Sequence, residues 1–165
     1  MNESSSKVPV RGVVPITQMV GDDDDEDTRL LRDMAWGAEQ YLRKFPWCKD
    51  IRELHFGHGY GGIVAVFLFR IEPSHTGVDE WLWVVFGDVP PAYLVIDECN
   101  APSQALEKYV QEVSKWVSLA RRGRSSKVVI PVSVPATPEN AADVENRLDF
   151  ICENVLPAFR EAAPS

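Results

Sequence analysis

The chain has 165 residues, 45% of them hydrophobic and 25% charged, the composition of an ordinary folded domain, which excludes a fibrous or wholly disordered protein. Its 17 Lys and Arg against 25 Asp and Glu leave a formal charge of −8, which works against nucleic-acid binding, since that needs a clustered basic face. At this length folding buries about 70% of the surface the unfolded chain exposes, so no disulfide or metal is needed to hold the core, and the odd set Cys48, Cys99 and Cys152 is not a disulfide framework.

Residues 1 to 27 hold seven acids and two bases, including the run from Asp22 to Asp27, so they carry −5 of the net charge and leave −3 to residues 28 to 165. With no apolar period they read as a disordered acidic leader that packs on nothing, and the fold is expected to survive their deletion. Contiguous carboxylates cannot all face one ion, and the glycine spacing of an EF-hand loop is missing. No basic region followed by an unbroken apolar stretch opens the chain, and the longest apolar run, Ile63 to Phe69, is too short to cross a membrane. Together with the cysteine pattern, this makes a cytoplasmic location the expectation.

From Thr28 a stripe of Leu31, Met34, Ala35, Ala38, Leu42 and Phe45 steps by three and four residues, which predicts a helix ending near Pro46. Strands are expected at Ile51 to Phe56, Gly61 to Ile71, Glu80 to Phe86 and Ala92 to Ile96, joined by short Gly- and Pro-rich turns. Both side-chain sets of the third segment are apolar, Trp81, Trp83 and Val85 against Leu82, Val84 and Phe86. That predicts a strand covered on both sides, or one face used for association. A second helix opens at Pro102 and stops at Gly123. Lys127 to Val134 reads as an edge strand or crossover, interrupted by Pro131. The last helix is capped by Thr137-Pro138-Glu139 and has Val144, Leu148, Ile151, Cys152, Val155 and Phe159 as its expected buried stripe. The order predicts an α+β domain over 28–165, an antiparallel four- to five-stranded meander with three helices mainly on one face.

Candidate chemistry starts at His55-Phe56-Gly57-His58-Gly59-Tyr60-Gly61-Gly62. A phosphate loop would need a helix or a Lys after the glycines, and here a strand follows. His55 and His58, three apart on an extended chain, are expected to point to opposite faces, and no third ligand is nominated, so neither a metal nor any other cofactor is expected. A glycine-rich hairpin accounts for the string. Cys99, within Asp97-Glu98-Cys99-Asn100, has acidic neighbours that raise rather than lower a thiol pKa, and Cys152 reads as core. Asp88 and Asp97 flank a Pro-containing connection that includes Tyr93, where carboxylates serve either as turn residues or as acid–base groups. Core packing is the expectation for most of Trp36, Trp47, Trp81, Trp83 and Trp116.

Trp47-Cys48 with the glycine hairpin, the string Trp83 to Tyr93, and Ile130-Pro131-Val132 with Thr137-Pro138-Glu139 and Arg147-Leu148 together resemble a set of small uncharacterised bacterial proteins, over about residues 28 to 160. The resemblance implies a bacterial origin and transfers no activity or catalytic residue. With no complete catalytic set, the leading expectation is a non-enzymatic protein-binding domain of immunity or inhibitor type, docking another protein, with a homodimer as the further candidate and no nucleic-acid or membrane partner. His58, Tyr60, Asp88, Tyr93 and Asp97 are the expected binding residues. The alternative is a small hydrolase or divalent-cation enzyme, with its site near Gly57–Gly62 and the Asp88–Asp97 connection.

Overall fold

The computed structural model describes residues 8–21, 25–124, 132 and 134–162. Five strands form one antiparallel meander in chain order: β1 (Val14–Pro15), β2 (Cys48–Tyr60), β3 (Val64–Pro73), β4 (Trp81–Gly87) and β5 (Val89–Val95). Among the described residues four α-helices accompany them: α1 (Asp25–Arg43), α2 (Pro102–Ala120), α3 (Pro138–Phe150) and α4 (Leu156–Ala162). This is the expected α+β class. The segment from Lys127 to Pro131, and Ser133 with it, lies outside the described residues.

β3 shows why the sheet needs cover on both sides, because every residue from Val64 to Phe69 is buried. Val64, Val66 and Leu68 join Trp83, Val85 and Leu94 in a core closed by α2, α3 and α4. The alternate residues Ala65, Phe67, Phe69 and Ile71 join Leu82 and Val84 in a second core under α1. Two of the three expected helices thus share one face and the first covers the other. β4 is covered on both sides, which answers the choice its two apolar residue sets had posed.

β2 is longer than its sequence pattern suggests and carries three register shifts against β3. Gly57 and Gly59 lie within this strand, and the turn is confined to Gly61–Ile63, so the expected hairpin loop is shorter at its first end. Gly59 is required by close approach: a Cβ there would stand 2.4 Å from the Ala65 Cβ and 2.6 Å from its Cα.

The leader reading is corrected over its described residues. Val14 and Pro15 pair with Phe56 and His55, Met19 is 3% exposed inside the α1 core, and the Arg11 N–H donates to the Asn100 carbonyl at 3.0 Å. Val8, Val10 and Val13 pack against the opposite core. These apolar residues show no period because they serve two cores and a sheet edge in turn. The acids Asp25, Glu26 and Asp27 belong to the first turn of α1, where the helix dipole favours them.

The last helix begins as expected, with the Thr137 hydroxyl accepting from the Asn140 N–H at 3.1 Å. Between α3 and α4, however, Ile151–Val155 forms a π-turn. Pro157 has no N–H for the Glu153 carbonyl and its ring crowds that carbonyl, which an ordinary helix does not accommodate. The wider turn shifts the buried stripe, so Cys152 is exposed and Leu156 is buried in its place.

Candidate functional site

Two turns meet at one end of the sheet. The Asp88 N–H donates to the Ile63 carbonyl at 2.8 Å, which fastens the β4–β5 turn to the β2–β3 turn. Gly87 permits this approach: its φ is +154°, and a Cβ there would lie 2.3 Å from the Ile63 oxygen. The β2–β3 turn is held in turn by Asp27 of α1, whose carboxylate accepts from the Gly61 N–H at 2.7 Å.

α3 runs past these turns and leaves an open groove with two lobes of about 380 and 290 Å³. Asp88, Val89, Asp143 and Arg147 border both lobes. The Arg147 guanidinium lies 3.4 Å from Asp88 and also pairs with Asp143, one helical turn earlier. The Asp143 hydrogen bond, opposed by partial burial and reinforced by Asp88, holds that guanidinium above its usual value, so the bar between the lobes stays charged. Two exposed apolar side chains stand in the larger lobe, Ile63 at 37% and Phe150 at 46%. Asp88 and Asp143 are both largely exposed on its rim. Asp25 and Glu26, exposed at the start of α1, add further negative charge beside the turn that Asp27 holds.

Of the five expected binding residues only Asp88 lies in this groove. His58 and Tyr60 sit on β2 against the α4 side, with His58 Nε2 3.3 Å from the Tyr60 hydroxyl and its ring 4.7 Å from Phe159 in an edge contact. Tyr93 lies on the opposite face with Phe45 and Trp47. Asp97 follows β5 at its other end and is exposed. The structure therefore does not bring the five together. Ile63, Asp143, Arg147 and Phe150 escaped the sequence reading as groove residues. An apolar side chain at a turn tip and the four-residue Asp143–Arg147 spacing were the available signals.

The expectation that His55 and His58 oppose each other is also corrected. The bulge between Phe56 and His58 inserts an extra residue, so His55 pairs with Leu68 and His58 with Val66, on one face. Among the described residues no group of three or more His, Cys, Asp or Glu is placed to hold a metal ion. His55 is 7% exposed, its Nε2 lies 3.0 Å from Glu53, and its Nδ1 has no partner among the described residues. Glu53 also accepts from Arg70 at 2.8 Å, and Arg70 pairs with Glu80 and lies 5.7 Å from the Trp81 ring centre. Burial pushes the Glu53 carboxyl up, but the hydrogen bonds from Arg70 and His55 outweigh it and hold the group below its ordinary value.

A depressed carboxyl contributes stability above its unfolded pKa, about 4.3, and that contribution is lost as pH falls through the lower folded value. The melting temperature of the wild type should exceed that of Glu53→Gln at neutral pH, with the gap closing as the solution is acidified below that range. Paired thermal melts across pH check this, and a gap that stays constant down to acid pH refutes it.

Burial raises the Cys48 and Cys99 thiols, and for Cys99 Lys108 opposes the shift while Glu98 and Glu107 add to it. The direction is the one its acidic neighbours suggested, but its main cause is desolvation. The Cys99 thiol also points its proton at the Gln104 carbonyl, 3.7 Å away. Neither buried cysteine is arranged as a nucleophile.

Among the described residues no helix is long and apolar enough to cross a membrane. No family model, no curated protein and no solved structure matches the chain.

Proposed function

We propose that this chain is a non-enzymatic protein-binding domain, of the kind that blocks or escorts its partner, and that it takes up a basic, apolar-bearing segment of another protein in the groove between the β4–β5 turn and α3. The observation that carries the reading is the pairing of exposed apolar walls, Ile63 and Phe150, with the acidic rim of Asp88 and Asp143. Exposed apolar side chains ringed by polar groups are the composition of an interface core and its rim. Two rim carboxylates against the single Arg147 leave the groove net negative, and with the chain's net −8 this favours and steers a cationic partner. The enzyme alternative finds Asp88 beside the end of the glycine hairpin but no catalytic set with it, since Tyr93 and Asp97 lie elsewhere on the domain.

A photo-reactive residue in place of Phe150, introduced in the native host, tests this. The expected result is one recurrent adduct whose cross-linked segment carries net positive charge, and its loss when Asp88→Lys and Asp143→Lys are combined. Adducts spread over abundant proteins, or a discrete adduct that survives the charge reversal, would count against the reading.

A further inference from the structure

We propose a second binding site, at the end of the sheet away from the groove, that takes an alkylammonium cation, the chemistry shared by free quaternary amines and methylated lysine side chains. Trp47 precedes β2, the Gly77–Asp79 turn precedes β4, and Val95 ends β5. Their convergence leaves a pocket of about 170 Å³ lined also by Val78, Leu82 and Tyr93. Its aromatic wall is already assembled. Phe45 stacks on Trp47 with centroids 4.8 Å apart and planes 18° apart, and Tyr93 meets the two rings edge-on at 5.3 and 5.0 Å. Phe45 thus covers one face of the Trp47 indole, and Trp47 and Tyr93 both border the pocket.

Charge selects the ligand. Among the described residues Asp79 is the only charged one lining the pocket, and it makes no hydrogen bond or ion pair with any of the others. No cation lines the pocket among the described residues, and of those near this end Arg43 is paired with Glu39 and Asp50, and Lys49 and Arg52 with Glu72. An aromatic face carries negative quadrupole density, so rings with one uncommitted carboxylate and no cation attract a positive charge, while the apolar side chains of Val78 and Leu82 in the lining suit methyl groups rather than a strongly hydrated ammonium. The site shares no residue with the groove and does not depend on what the groove binds.

Calorimetric titration of the full chain with tetramethylammonium, choline and a trimethyllysine peptide, beside the neutral isostere 3,3-dimethyl-1-butanol, tests the proposal. The expected result is that choline or the peptide binds at least tenfold tighter than the neutral alcohol, the tighter of the two naming the natural source. Trp47→Ala should abolish binding. Asp79 is exposed on a turn, so Asp79→Lys should leave the melting temperature unchanged and weaken choline at least tenfold. Equal binding of choline and its neutral isostere, unaltered choline binding by Asp79→Lys, or no binding of any cation at roughly 10 mM would each overturn the site.

Discussion

Replacing Trp83 with alanine is expected to destabilise the protein by about 3–5 kcal/mol, a large part of the ~5–15 kcal/mol that holds a domain of this kind together. Trp83 is fully buried, stands on β4 between Leu68 of β3 and Leu94 of β5, and packs in the core beneath α2. Its indole N–H donates to the Cys99 carbonyl at 2.8 Å, which ties the sheet to the loop leading into α2. Truncation would therefore open a void and strand a buried carbonyl at once. Trp83→Phe weights the two effects differently, since it keeps most of the ring volume and loses the hydrogen bond. It should cost about 1–3 kcal/mol, the usual penalty of an unsatisfied buried group, together with a smaller packing loss. Urea unfolding with a shared m-value measures both variants. An alanine variant within roughly 1 kcal/mol of the wild type would mean that the core closes over the gap far better than cores usually do.

The same residue shows what was legible in the sequence. Two apolar sets on one short strand can only be reconciled with cover on both faces or with an interface, and the flanking segments with short turns placed β4 inside a meander. Helix α2 was legible because Pro102 and Gly123 punctuate it, and α3 because Thr137, Pro138 and Glu139 form a helix start. Trp36, by contrast, falls off the stripe of Leu31, Met34, Ala35, Ala38 and Leu42, and is 67% exposed, so the period itself argued against grouping it with core tryptophans.

What the sequence hid has specific causes. A β-bulge adds a residue without changing local composition, so the shared face of His55 and His58 is visible only once β3 supplies a register. The π-turn is a response to Pro157, and its consequence, an exposed Cys152, appears five residues earlier in the chain. The groove is assembled from Ile63, Asp88 and Arg147, whose sequence separations leave no spacing signature. Its anchor is Gly87, which looks like an ordinary turn glycine until the Ile63 carbonyl is seen against it.

Deleting residues 1 to 21 is expected to lower the melting temperature by about 10 °C or more, the reverse of what an unpacked leader would do. Three losses combine. Met19 leaves a fully formed site in the α1 core, and removing a buried Met side chain typically costs about 2–5 kcal/mol. β1 no longer covers Phe56 and His55 on the edge of β2, and the half-buried Val8, Val10 and Val13 leave the opposite core. The Gly21 N–H also leaves the Thr28 hydroxyl, a 2.7 Å contact at the start of α1. At this size each kcal/mol shifts the midpoint by about 2–4 °C, so Met19 alone accounts for a drop of several degrees and the remaining losses extend it. Met19→Ala in the full chain should reproduce about half of the deletion effect. A synthetic peptide spanning residues 8 to 21, added in excess to the truncated protein, should restore part of the loss by mass action. A truncated protein that melts within roughly 2 °C of the full chain would show that Met19 and β1 rest on the domain without stabilising it, since even the low end of the Met19 cost predicts a larger drop.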